Sequence, residues 1–129
     1  MFANHLNIKL IPFQKDHPKE AEATIDILPY FGQPYDVVHG GILYSLADTL
    51  CGYLVWNNAE VGTLVTTIEM KINYISAVPL KGYLRAMAEL KHRGKRTAVC
   101  VADIFHVDNG KEKLVGIATA TFSLIIDNK

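Results

Sequence analysis

The sequence predicts an α+β fold in which a curved antiparallel sheet wraps one long central helix, and three observations predict it. The stretch from His39 to Trp56, HGGILYSLADTLCGYLVW, combines a helix start, helical spacing of apolar residues and almost no polar side. Four segments after it and one before it alternate apolar and polar residues with the period of a strand. One buried helix beside five such strands is satisfied by a sheet curled around the helix, which buries the apolar faces of both.

The helix comes first. On a wheel of ~100° per residue, Ile42, Leu43, Leu46, Ala47, Leu50, Tyr53 and Leu54 form one apolar arc, and Tyr44, Cys51, Val55 and Trp56 make the far side apolar too. A helix apolar all round belongs in a core. Between Asp36 and Glu60 the only formally charged residue, His39 aside, is Asp48, in mid-helix where no capping role explains it. A carboxylate there is paired, neutral or in use.

Ahead of the helix, residues 1–19 carry Pro12 and Pro18 around a polar stretch and read as a short leading turn or helix and then a loop. Residues 20–28 alternate Ala21, Ala23, Ile25 and Ile27, a strand closed by Pro29. Asn57 and Asn58 end the helix. Residues 62–75 then form a long half-buried strand, with Leu64, Thr66, Ile68, Met70, Ile72 and Tyr74 on one face and Val65, Thr67, Glu69, Lys71 and Asn73 on the other. Residues 81–92 repeat the pattern, Leu84, Ala86, Ala88 and Leu90 against Tyr83, Arg85, Met87, Glu89 and Lys91. The basic turn Arg93-Gly94-Lys95-Arg96 leads into a strand over 97–107, and Asp108-Asn109-Gly110 is a hairpin signal before the last strand, 111–126.

Length and composition bound the class. A chain of 129 residues is read as one domain, 1–129, able to bury its own core. Zero net charge gives no bias toward nucleic acid or anionic membrane, so neither is expected as a partner. Cys51 and Cys100 lack the number and spacing of a disulfide framework or a zinc site and read as reduced core residues. With neither an export signal nor a long enough apolar run, a cytoplasmic protein is expected, without metal, nicotinamide or flavin.

The chemistry concentrates at the helix. Gly40 and Gly41 let a ligand approach the backbone, where free N–H groups of the first turn point outward to an anion or oxyanion. Duller readings exist: Asp48 as a structural carboxylate, the glycines as a turn, Thr66 and Thr67 as strand formers, and the 93–96 turn as a solvated hairpin. The segments VVHGGILYSLADTLCG, TTIEMKINYISAV, HRGKRTAV and IATATFSL nevertheless resemble the hotdog-fold acyl-CoA thioesterases, in particular the phenylacetic-acid-degradation type, over most of the chain after about residue 20. HGG with an Asp nine positions after the His is the specific part.

The resemblance implies a role for each site residue. Gly40 N–H becomes the main donor to the thioester oxyanion, and Asp48 activates water or attacks directly. Gln33, six residues before His39, helps bind the carbonyl or the water, and Thr67, or its neighbour Thr66, holds the nucleophilic water. His39 takes a supporting, orienting role, Gly41 assists at the helix start, and Arg93, Gly94, Lys95 and Arg96 meet the phosphates of CoA. Two other reactions fit the same fold, an acyl-carrier-protein dehydratase and a non-enzymatic acyl-CoA binding module; the spacing of His39 and Asp48 favours hydrolysis.

One chain cannot easily aim both the N–H groups of the helix start and the Asp48 carboxylate at one carbonyl. Nine steps from His39 bring Asp48 round to the opposite side of the axis, and ~10 Å of helix lies between Gly41 and Asp48 at 1.5 Å per residue. Two antiparallel helices about a two-fold axis solve this, so a homodimer is expected, or a tetramer as a dimer of dimers. The apolar second face near Asp48, with Tyr44, Cys51 and Val55, is the surface such packing calls for.

Overall fold

The alanines of the later strands explain where the helix lies. Ala86, Ala88, Ala98, Ala102, Ala118 and Ala120 are all buried on the side of the sheet that faces the helix. Small side chains at the middle of a curled sheet leave a trough, and the large residues of the helix fill it: Leu43, Leu46, Leu50 and Leu54 are buried there with Ile25, Leu84, Ile104 and Phe122. The computed structural model describes residues 5–126. Its elements are β1 (Lys9–Leu10), β2 (Glu20–Asp26), a 3₁₀ turn (Pro29–Phe31), α1 (Gly40–Asn57), β3 (Thr63–Tyr74), β4 (Tyr83–Arg93), β5 (Thr97–Asp108) and β6 (Lys111–Ile126). The six strands form one antiparallel sheet in the order β1-β2-β4-β5-β6-β3, curled against α1.

Local chemistry sets the turns. Asn109 (φ 51°) and Gly110 (φ 74°) take the left-handed conformations of a tight hairpin between β5 and β6, the turn their residue types predict. β3 does not pair with β4. After Tyr74 the chain passes the start of the helix, where Val38 N–H donates to Val78 O at 2.8 Å, and joins the sheet again on the other side of β5 and β6. β3 is thereby left as an edge strand. On the outer face Arg85 lies over the ring of Phe105, 4.9 Å from its centroid, and donates twice to Glu112, at 3.0 and 2.8 Å.

Three expectations need correction. Lys9–Leu10 pairs with Ala23 and Thr24 as a short strand within the segment read as turn and loop; two residues are too few to carry a period. The faces of β3 are not those of strict alternation, because the register with β6 shifts between Thr67 and Glu69. That bulge takes up Ile68 and changes the phase, so Val65 packs on the core with Met70 and Ile72, while Leu64 and Ile68 are exposed. Finally, Cys51 and Val55 are fully buried within the chain's own core and offer nothing to a second helix. The open stripe of α1 carries Tyr44 and Trp56, 37% and 62% exposed, with the half-buried Asp48 between them.

Candidate active site

His39 begins α1 for a reason visible in its side chain. It is the N-cap (φ −62°, ψ 134°), and its Nδ1 accepts from Gly41 N–H at 2.9 Å, filling one of the donors that a helix start leaves open. An imidazole that accepts at Nδ1 holds any proton on Nε2, so the ring acts here as a cap. Gly41 N–H is therefore engaged within the chain. Gly40 N–H has no acceptor among the described residues.

Gly40 and Gln33 line one cleft of ≈ 350 Å³, with Leu43, Tyr74, Val78 and neighbouring backbone for its walls. The Gln33 loop is held by its own backbone: Gln33 N–H donates to Val37 O at 2.9 Å, and Asp36 N–H donates back to Gln33 O at 3.1 Å. His39 and Gly41 line a different groove, shared with Tyr30, Ile42 and Ser45. The neighbour that sequence reasoning missed is Tyr74. Its hydroxyl donates to Gly40 O at 2.9 Å, and a Cβ at Gly40 would stand 3.0 Å from its ring, so a side chain at position 40 would press on Tyr74 and require its ring to shift. Across the bulge, the strand period alone gives no sign of that contact.

Asp48 lies two turns further along the helix, where Thr67 Oγ1 donates to its Oδ1 at 2.8 Å. Thr67 pairs with the buried Phe122 and so faces the helix, whereas Thr66 pairs with Ser123 on the outer side of the sheet. Between the two threonines, only Thr67 meets the carboxylate. Asp48 Oδ2 has no partner among the described residues. The nearby Cys51 thiol is held well above its ordinary range by the adjoining Cys100 thiol, by burial and by the Asp48 carboxylate, which leaves it protonated and a poor nucleophile. Among the described residues no three His, Cys, Asp or Glu side chains converge as metal ligands.

The basic turn sits at the other end of the helix. Arg93 Nε donates to Asn58 O, the helix C-cap, at 3.2 Å, and Arg93, Gly94 and Lys95 line a ≈ 270 Å³ cleft with Glu60, Thr63 and Leu124. Lys95 and Arg96 are exposed and form no ion pair among the described residues. Gly40 and Asp48 thus face β3 at two levels, one at Tyr74 and one at Thr67, with the turn beyond Asp48.

A family model described as the thioesterase superfamily matches residues 35–113, which hold His39, Gly40, Asp48, Thr67 and the basic turn and stop two residues short of Gln33. The chain belongs to the thioesterase superfamily. Among solved structures, this superfamily member resembles a thioesterase of Haemophilus influenzae at 26% identity and a TM-score of 0.86, over 99% of this chain and 85% of that one. A thioesterase family protein of Silicibacter pomeroyi superposes with a TM-score of 0.89 at 23% identity, over 98% and 90% of the two chains. The PaaI protein from the phenylacetic acid degradation operon of E. coli gives 0.82 at 24%, over 96% and 83%. These likenesses give the architecture its family name: it is a hotdog fold. No helix among the described residues of this thioesterase-superfamily chain is long and apolar enough to cross a membrane.

Proposed function

We propose that the chain hydrolyses acyl-CoA thioesters at a site shared between two copies of itself. The observation that carries this reading is the pairing of Thr67 with Asp48: a carboxylate in mid-helix, held by one hydroxyl through Oδ1 and open at Oδ2. In the reaction Asp48 takes a proton from water as the water oxygen bonds to the thioester carbonyl carbon. The carbonyl oxygen becomes an oxyanion and accepts from Gly40 N–H, with the Gln33 amide beside it. Collapse restores the C=O bond and breaks the C–S bond, and the proton held by Asp48 passes to the departing thiolate, which releases the free acid and the CoA thiol and returns Asp48 to its carboxylate. Direct attack by the Asp48 carboxylate on the same carbon gives the same products through an anhydride that water then opens.

Two features support the dimer. Gly40, Tyr44 and Asp48 are spaced by four and so lie within ~80° of one another, not on opposite sides of the axis as the count from His39 suggests; ~12 Å of helix separates Gly40 from Asp48, and in an antiparallel pair a two-fold axis beside Tyr44 brings each Gly40 next to the other chain's Asp48. β3 is a bare edge of twelve residues with Leu64 and Ile68 exposed, the kind of edge that a soluble protein covers. The basic turn supports CoA. From Asp48 to the helix end at Asn58 is ~15 Å of helix, a distance that an extended pantetheine arm spans, and there Lys95 and Arg96 are free to meet phosphate.

The test of the activity is a panel of acetyl-, hexanoyl-, palmitoyl- and benzoyl-CoA with released thiol as the readout; a chain that frees no thiol from any of them is not a thioesterase of this class. Replacing Lys95 and Arg96 together by alanine is expected to raise KM about 10-fold and to flatten its salt dependence, with kcat nearly unchanged. A KM indifferent to both the replacement and to salt would make the turn a solvated hairpin and nothing more.

A further inference from the structure

A step of two consecutive glycines is the freest backbone in any chain, yet here it carries the donor on which the proposed reaction depends. The peptide that joins Gly40 to Gly41 is bonded at both ends. Its carbonyl, Gly40 O, accepts from the Tyr74 hydroxyl at 2.9 Å, and its N–H, on Gly41, donates to His39 Nδ1 at 2.9 Å. The Tyr74 ring also lies where a Gly40 side chain would be, 3.0 Å from that Cβ position. The preceding peptide is held at one end only: its carbonyl, His39 O, accepts from Ile42 N–H at 2.9 Å, while its N–H, on Gly40, has no acceptor among the described residues, and Gly40 lines the same cleft as Gln33 and Tyr74. The Tyr74 phenol donates in its neutral form, and burial and then the neighbouring Tyr44 push its ionisation further up from the ordinary phenol value.

We propose that Tyr74 and His39 act as a clamp on the Gly40–Gly41 peptide, which makes Tyr74 a positioning residue that aims the Gly40 N–H at the developing oxyanion. The inference rests on the thioesterase reading for its catalytic consequence, but the clamp itself is testable without substrate. His39 has a purely mechanical role in it, so any side chain that accepts at the same place serves, whether or not it can carry a proton. Asparagine does so at helix starts, and phenylalanine at 74 keeps the ring and deletes only the hydroxyl.

The experiment compares wild type, Tyr74→Phe, His39→Ala and His39→Asn, using whichever CoA ester of the panel the wild type hydrolyses fastest, together with amide exchange at Gly41 by NMR. Tyr74→Phe and His39→Ala are each expected to lower kcat ~10-fold with KM within about 2-fold, and His39→Asn to recover most of the loss. Exchange at Gly41 should quicken in Tyr74→Phe and in His39→Ala and return toward wild type in His39→Asn. A wild-type kcat in Tyr74→Phe overturns the positioning role, and an asparagine variant as poor as the alanine one makes the imidazole itself part of the chemistry. Unchanged exchange at Gly41 in Tyr74→Phe overturns the clamp even if no ester in the panel turns over, a result that would count separately against the thioesterase reading.

Discussion

Asp48→Asn is expected to lower kcat by at least ~100-fold while leaving the fold and substrate binding in place. The amide has the shape of the carboxylate and keeps an oxygen to accept from Thr67 Oγ1, whose bond to Asp48 Oδ1 measures 2.8 Å. What it lacks is the capacity to take a proton or to attack as an anion. Chemistry and packing are therefore separated: KM and the unfolding midpoint should stay near wild type as the rate falls. Turnover close to wild type in this variant would remove Asp48 from the mechanism and return it to a structural role.

The second large effect is on stability. Leu50 is fully buried in α1, within the core that the helix shares with the alanine-rich sheet. Leu50→Ala leaves a cavity there and is expected to cost about 3–4 kcal/mol, a large share of the ~5–15 kcal/mol that holds a domain together. Equilibrium unfolding in urea at fixed protein concentration measures it, since association would contribute to apparent stability. The midpoint should drop with the slope unchanged, and a loss below ~1 kcal/mol would mean that the helix does not anchor the core as described.

The sequence made the helix legible because its apolar residues run all the way round, and Asp48 legible because it is the one carboxylate in that setting. Other features depend on partners that no local pattern names. The bulge in β3 is a property of its register with β6, so strict alternation grouped Leu64 and Ile68 with Met70 and Ile72 and set Val65 on the other face, whereas Val65 packs on the core with Met70 and Ile72. On the helix, the wheel showed two apolar faces but not which one the chain would use itself; Cys51 and Val55 went inward, and Tyr44 and Trp56 stayed outside. At the site, Gln33 came only from the resemblance to a family, since a loop glutamine has no periodicity to mark it. The contact between Tyr74 and Gly40 spans 34 positions and was legible in neither way.

The shared site is the claim on which the rest depends, and mixing inactive chains tests it most directly. One chain carries Asp48→Ala and the other Gln33→Ala together with Gly40→Val, so each homodimer lacks one half of every site. When the two are mixed and exchange of subunits is verified by mass, a mixed dimer regains one site with Gln33 and Gly40 from one chain and Asp48 from the other. Activity should then rise from the background of either parent toward about a quarter of the wild-type rate, since half the dimers are mixed and each has one intact site. Verified exchange with no return of activity would contradict the account.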